Sequence, residues 1–157
     1  PPNLIPADVG LGPYDLPVAV AKTAWEFEAG DGLEGWTGSG DVADLAAQDG
    51  SLVGRSTGRD PALQVPGLQV EASRLHRLSF RMRSDRNQHV HVFWATALTA
   101  MTEDASLGID VIGDGQFHDY ELDLDTCPQW RGIISALRID PATEPNAEFA
   151  LDYVRLH

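Results

Sequence analysis

The chain has 157 residues and a formal net charge of −13, from 24 acidic residues against 11 basic ones. That balance excludes nucleic acid and anionic membrane surfaces as partners, since both need a positive footprint that releases counterions. The length predicts one domain with a core large enough to fold without disulfides, and the single Cys127 cannot form one within the chain.

Residues 1–21 hold five of the ten prolines and no sustained periodicity, which reads as a linker or N-terminal arm and leaves 22–157 as the domain. From Thr23 to Glu28 the residues alternate, with Trp25 and Phe27 on one face and Glu26 and Glu28 on the other, a first strand. Gly30-Asp31-Gly32 turns the chain, and Gly35-Trp36 is expected to plug one end of a sandwich. Asp41 to Gln48 and Ser51 to Ser56 read as a hairpin, because Asp49-Gly50 supplies the positive φ that a tight turn requires.

Asp60-Pro61 opens a short strand, Ala62 to Val65, and a loop follows over 66–72. Leu75 to Arg83 is a long strand with Leu78, Phe80 and Met82 inward and Arg77, Ser79, Arg81 and Arg83 outward. In Gln88 to Ala95, Val90 and Val92 mark the core face and place His89, His91 and Phe93 opposite; one of Phe93 and Trp94 has to leave the core. Thr99 to Asp104 is a loop and Ala105 to Ile112 a strand. The last three strands follow the Asp114-Gly115 turn: the run through Tyr120, Leu122 and Leu124, then Ser135 to Asp140, then Phe149 to Leu156 with Phe149, Leu151 and Tyr153 on one face.

About ten strands separated by Gly, Pro and Asp turns, with no helix and no internal repeat, predict an all-β, antiparallel two-sheet sandwich. The expected core is Trp25, Phe27, Trp36, Leu78, Phe80, Met82, Val90, Val92, Tyr120, Leu122, Leu137, Ile139, Leu151 and Tyr153. The chain starts at Pro1-Pro2 with no initiating Met, signal peptide or membrane-length apolar run, so a mature secreted or cell-surface product, or a fragment of a longer protein, is expected.

Three segments in this order carry a family resemblance: Asp114-Gly115-Gln116-Phe117-His118-Asp119-Tyr120, then Gln129-Trp130-Arg131-Gly132 leading into Leu137-Arg138-Ile139-Asp140-Pro141, then Leu151-Asp152-Tyr153-Val154-Arg155-Leu156. From Thr23 to His157 the chain resembles the galactose-binding-like β-jelly-roll modules attached to bacterial polysaccharide-active proteins. The resemblance implies a jelly-roll sandwich without catalytic machinery, a polysaccharide or oligosaccharide partner, and a catalytic domain elsewhere in the full-length protein. It also implies a structural calcium, with Glu28 matching the family's glutamate at the end of the first strand and Asp152 its terminal-strand partner. Asp49, at a neighbouring turn, is a third candidate; calcium takes six to eight hard oxygens, which carboxylates and loop carbonyls supply.

No Ser-centred elbow or phosphate-cradling glycine loop appears, which leaves an enzyme reading without machinery. His89-Val90-His91 puts two imidazoles on one strand face, a spacing that suits a transition metal but lacks an identifiable third ligand. Five arginines fall between Arg74 and Arg86, a local reversal of the acidic field. If the strands share a sheet, Arg81, Arg83, His89, His91, Phe93 and Arg138 form a polar groove with an aromatic platform, suited to a sugar and, through the arginines, to an acidic polysaccharide. The plainer reading pairs Arg138 with Glu121 or Asp123 across ordinary solvated strands. Two functions follow: a non-catalytic carbohydrate-binding module that tethers an enzyme to its polysaccharide, or a structural jelly roll that packs against a neighbour without binding sugar.

Overall fold

The computed structural model describes residues 22–28 and 32–157. The expected arm over 1–21 and the Gly30-Asp31 step lie outside the described residues. Among the described residues twelve strands run in chain order: β1 Ala24–Trp25, β2 Thr37–Gly38, β3 Val42–Gln48, β4 Ser51–Ser56, β5 Leu63–Val65, β6 Val70–Glu71, β7 Arg77–Ser84, β8 Gln88–Thr96, β9 Ser106–Val111, β10 His118–Asp123, β11 Ile133–Asp140 and β12 Glu148–Leu156. Single 3-10 turns at Ala72–Arg74 and Leu124–Thr126 are the helical pieces among the described residues.

The strands form two antiparallel sheets. One has the order β10-β7-β12-β4-β3, with β1 added along β12; the other has the order β2-β5-β11-β8-β9, with β6 added along β11. The long strands keep the two-residue period: in β7 Leu78, Phe80, Met82 and Ser84 are buried, and in β8 Gln88, Val90, Val92 and Trp94. Phe93 is the one that leaves the core. The β3–β4 turn has positive φ at both Asp49 (54°) and Gly50 (80°), which a two-residue hairpin turn needs to match strand twist.

Between the sheets, Trp25, Phe27 and Trp36 pack edge to face, with ring centres 5.6 and 6.5 Å apart. Trp36 is 1% exposed, in the core as expected. Trp130 meets Trp94 at 5.1 Å, and its indole N–H donates to the Leu75 and Ala72 carbonyls, which anchors the loop before β11. Tyr120 stacks on the buried Phe80 with its hydroxyl at the rim, where it accepts a hydrogen bond from the Ile112 N–H at 2.9 Å.

Tyr153 departs from the expected core. The β12–β7 register shifts between Leu151 and Tyr153, so the strand gains a residue and its inward set becomes Phe149, Leu151, Val154 and Leu156. Tyr153 is turned outward, where its hydroxyl donates to Asp119 and the Arg155 guanidinium lies 3.7 Å from its ring centre. Strict alternation cannot register such an insertion.

Candidate functional site

Two outer faces carry the polar chemistry, and they point in opposite directions. Strands β7 and β8 are consecutive, yet residues 85–87 carry the chain from one sheet to the other. Arg81 and Arg83 therefore lie on the outer face of the first sheet, while His89, His91, Phe93 and Arg138 lie on that of the second. The single groove expected from the sequence is thus split in two. Alternation fixes which residues point outward from a strand; which sheet the strand joins is set by long-range pairing.

On the second sheet, register aligns Thr37, Gln64, Arg138, Phe93 and Ser106 in one row across five strands. Arg138 lies 5.0 Å from the Phe93 ring centre and donates to both oxygens of Asp140, at 2.7 and 2.9 Å, and to Asp60 at 3.2 Å. The Asp140 hydrogen bonds raise the Arg138 pKa above that of an ordinary arginine. Glu121 and Asp123, the partners expected for Arg138, belong to β10 in the other sheet. His91 stacks on Phe93 at 5.4 Å and meets His89 at 5.1 Å. These rings follow one another along one strand, with 78° between His89 and His91 and 29° between His91 and Phe93.

The outer face of the first sheet is indented. A cleft of about 620 Å³ crosses β3, β4, β12 and β7, within the size range of small-ligand sites. Its floor is Val53, Gly54 and the buried Phe149, and its walls include Asp44, Asp49, Arg55, Asp85, Glu148, Arg83 and Phe117. Phe117 is half-buried, with the Arg83 guanidinium 4.9 Å and the Arg81 guanidinium 5.5 Å from its ring centre. Arg81 is neutralised by Asp119 at 3.2 Å and Asp152 at 3.4 Å, and Arg55 pairs with Asp44 at 3.3 Å. Among the described residues no carboxylate stands within ion-pairing distance of Arg83. Of the six expected ligand residues, Arg83 alone lines this cleft. Phe117, Arg55, Asp44 and Glu148 were not legible as site residues; Phe117 sat in a motif that marks the fold, and the acids and Arg55 looked like any solvated strand residues.

Two of the expected calcium ligands, Glu28 and Asp49, lie at the β3–β4 turn. The Glu28 carboxylate is 4.0 Å from the position a Cβ would take at Gly50, beside Asp49, and Asp152 follows directly on the Leu151–Leu52 pair. The donor chemistry suits calcium, but Asp152 is held by Arg81, and no group of three His, Cys, Asp or Glu placed to hold a metal occurs among the described residues.

No protein-family model matches the chain, and no curated protein matches it. Solved structures do. A family 29 carbohydrate-binding module complexed with cellulohexaose superposes with a TM-score of 0.59 at 15% identity, over 85% of this chain and 92% of that one. A low-affinity xylan-binding module, CBM86 from the gut symbiont Roseburia intestinalis, gives 0.55 at 18% identity, over 80% and 91%. Another family 29 module, complexed with mannohexaose, gives 0.55 at 14% identity, over 78% and 81%. The chain therefore has the jelly-roll sandwich fold of these modules.

Proposed function

We propose that this chain is a non-catalytic carbohydrate-binding module whose ligand lies in the cleft of the first sheet. The observation that carries the reading is the cleft itself, where the half-exposed Phe117 stands beside an exposed Arg83 that has no carboxylate partner among the described residues. An apolar sugar face packs on the ring, while guanidinium donors and carboxylate acceptors hydrogen-bond the hydroxyls. The likeness to modules solved with cellulohexaose and mannohexaose supports the same reading. Tethering an attached enzyme to its polysaccharide outside the cell is the use such a module serves.

The ligand we infer is a neutral glycan. An acidic preference would need a free cationic stripe, but Arg77, Arg81 and Arg86 are each paired with carboxylates. The cleft walls place four carboxylates, Asp44, Asp49, Asp85 and Glu148, against two guanidiniums, Arg55 and Arg83, which repels a polyanion.

The test is affinity electrophoresis and calorimetry against xylan, mannan, a soluble β-glucan and a polyuronate. Binding to a neutral polymer is expected, with Arg83→Ala weakening it about tenfold, the scale of one hydrogen bond to a charged group. Arg83 is exposed, so its melting temperature should stay near that of the wild type. Phe117→Ala should weaken binding similarly. If both variants bind like the wild type the site is elsewhere, and if no glycan binds, the structural-module reading takes over.

The calcium at Glu28 and Asp49 is likewise proposed, with Asp152 exchanging Arg81 for the ion. It would tie the end of the first strand segment to the β3–β4 turn.

A further inference from the structure

On the outer face of the second sheet, His89 and His91 are arranged more specifically than two surface histidines need be. We propose that they form a binding site for a borderline divalent transition metal ion, of the zinc, nickel or copper type, on the face opposite the cleft. The proposal is independent of the carbohydrate reading.

Three features of the geometry carry it. First, the β8–β9 register sets Gly108 directly opposite His91 and Asp110 directly opposite His89. A Cβ at Gly108 would clash with His89 Nε2, and His91 Nε2 is 3.3 Å from the same point. Both Nε2 atoms thus face one small volume, which exists because residue 108 lacks a side chain. Second, the Asp110 carboxylate accepts from His89 Nδ1 at 2.8 Å. A carboxylate on one ring nitrogen fixes the proton there, aims the other nitrogen's lone pair outward and raises its basicity, the arrangement that accompanies metal-ligating histidines. Third, His91 is braced from the far side by its stack on Phe93, with 29° between the ring planes. Each imidazole is held by a different neighbour in the pose that brings the nitrogens together.

Asp140, paired with His91 on the other flank, does not complete the site, because Arg138 engages both of its oxygens. The protein supplies two nitrogens and water the remaining positions, so the site is open and of modest affinity. Imidazole donors select zinc, nickel and copper over calcium and magnesium. The acidic field of the chain, at a net −13, favours any cation's approach.

The experiment uses the protein without an affinity tag, at a pH where imidazole is neutral. It should be retained on immobilised nickel, and calorimetric titration with zinc should show one site. His89→Ala and His91→Ala should each weaken zinc binding at least tenfold. Asp110→Asn, which keeps both ligands, should weaken it about tenfold, as loss of an outer partner does. Gly108→Val should block the site, and the exposed His76→Ala should change nothing. Far-UV circular dichroism of each variant checks that it is folded. Absence of zinc and nickel binding by the wild type, or undiminished binding by a folded His89→Ala, His91→Ala double variant, overturns the proposal.

Discussion

Arg155 shows how single side chains tie the ends of this domain together. Its guanidinium donates to both oxygens of Glu26, at 2.6 and 2.8 Å, and lies over Tyr153, so one residue joins the first strand segment to the last. The Arg155 hydrogen bonds hold the Glu26 carboxyl below its ordinary 4.5, against the opposing effect of burial. The Tyr153 hydroxyl lowers Asp119 from 3.8 in the same way, helped by Arg81. A carboxyl whose folded pKa lies below its unfolded one stabilises fully above the unfolded value, and that contribution drains away as pH falls through the folded one. Arg155→Ala should therefore lower the melting temperature at neutral pH, with the gap to the wild type closing below about pH 4. Melting curves across that range check it; a gap that stays constant into acid would mean that the ion pair is not its source. Both partners are substantially exposed, so the effect is small and weakens with salt.

Beneath the cleft, the fit of β4 against β12 turns on one glycine. Phe149 pairs with Gly54 across the two strands, and its ring occupies the space a side chain at residue 54 would need. A Cβ added there would stand 2.7 Å from Phe149 Cζ and 3.1 Å from Cε1. Gly54→Ala is expected to cost about 1–3 kcal/mol by overpacking, because the ring is buried and has little room to yield. Gly40 has nothing within 4 Å of its Cβ position, and Gly40→Ala should be close to neutral. Urea unfolding of the two variants makes the comparison. Equal stability would show that Phe149 can shift without cost.

For the molecule as a whole, sheet membership matters more than net charge. A neutral glycan bound by hydrogen bonds and stacking should keep its affinity as ionic strength rises, whereas an acidic one held by arginines would lose affinity as its charges are screened. Calorimetry at low and high salt distinguishes the two, and strong salt dependence would restore the acidic reading. Excess calcium should raise the melting temperature over that measured with a chelator, since an ion that binds only the folded state stabilises it by mass action. Identical melting in both conditions would remove calcium from the Glu28–Asp49 corner.

By itself the sequence determined the sandwich, because inward and outward residues along a strand follow from a local two-residue period that turn residues punctuate. The long strands β7, β8 and β11, the Asp49-Gly50 hairpin and the burial of Trp36 were legible on those terms. Tyr153 was not, because the register shift in β12 inserts one residue and reverses the faces beyond it. The site was legible only in pieces. Arg81 and His89 are near neighbours in sequence and lie on opposite faces of the molecule, because β7 pairs with β10 and β12 while β8 pairs with β9 and β11. Phe117 reaches Arg83, and Gly108 opens the space between His89 and His91, through contacts between distant segments. Local periodicity carries no information about such contacts; only the tertiary structure decides which outward faces become one surface.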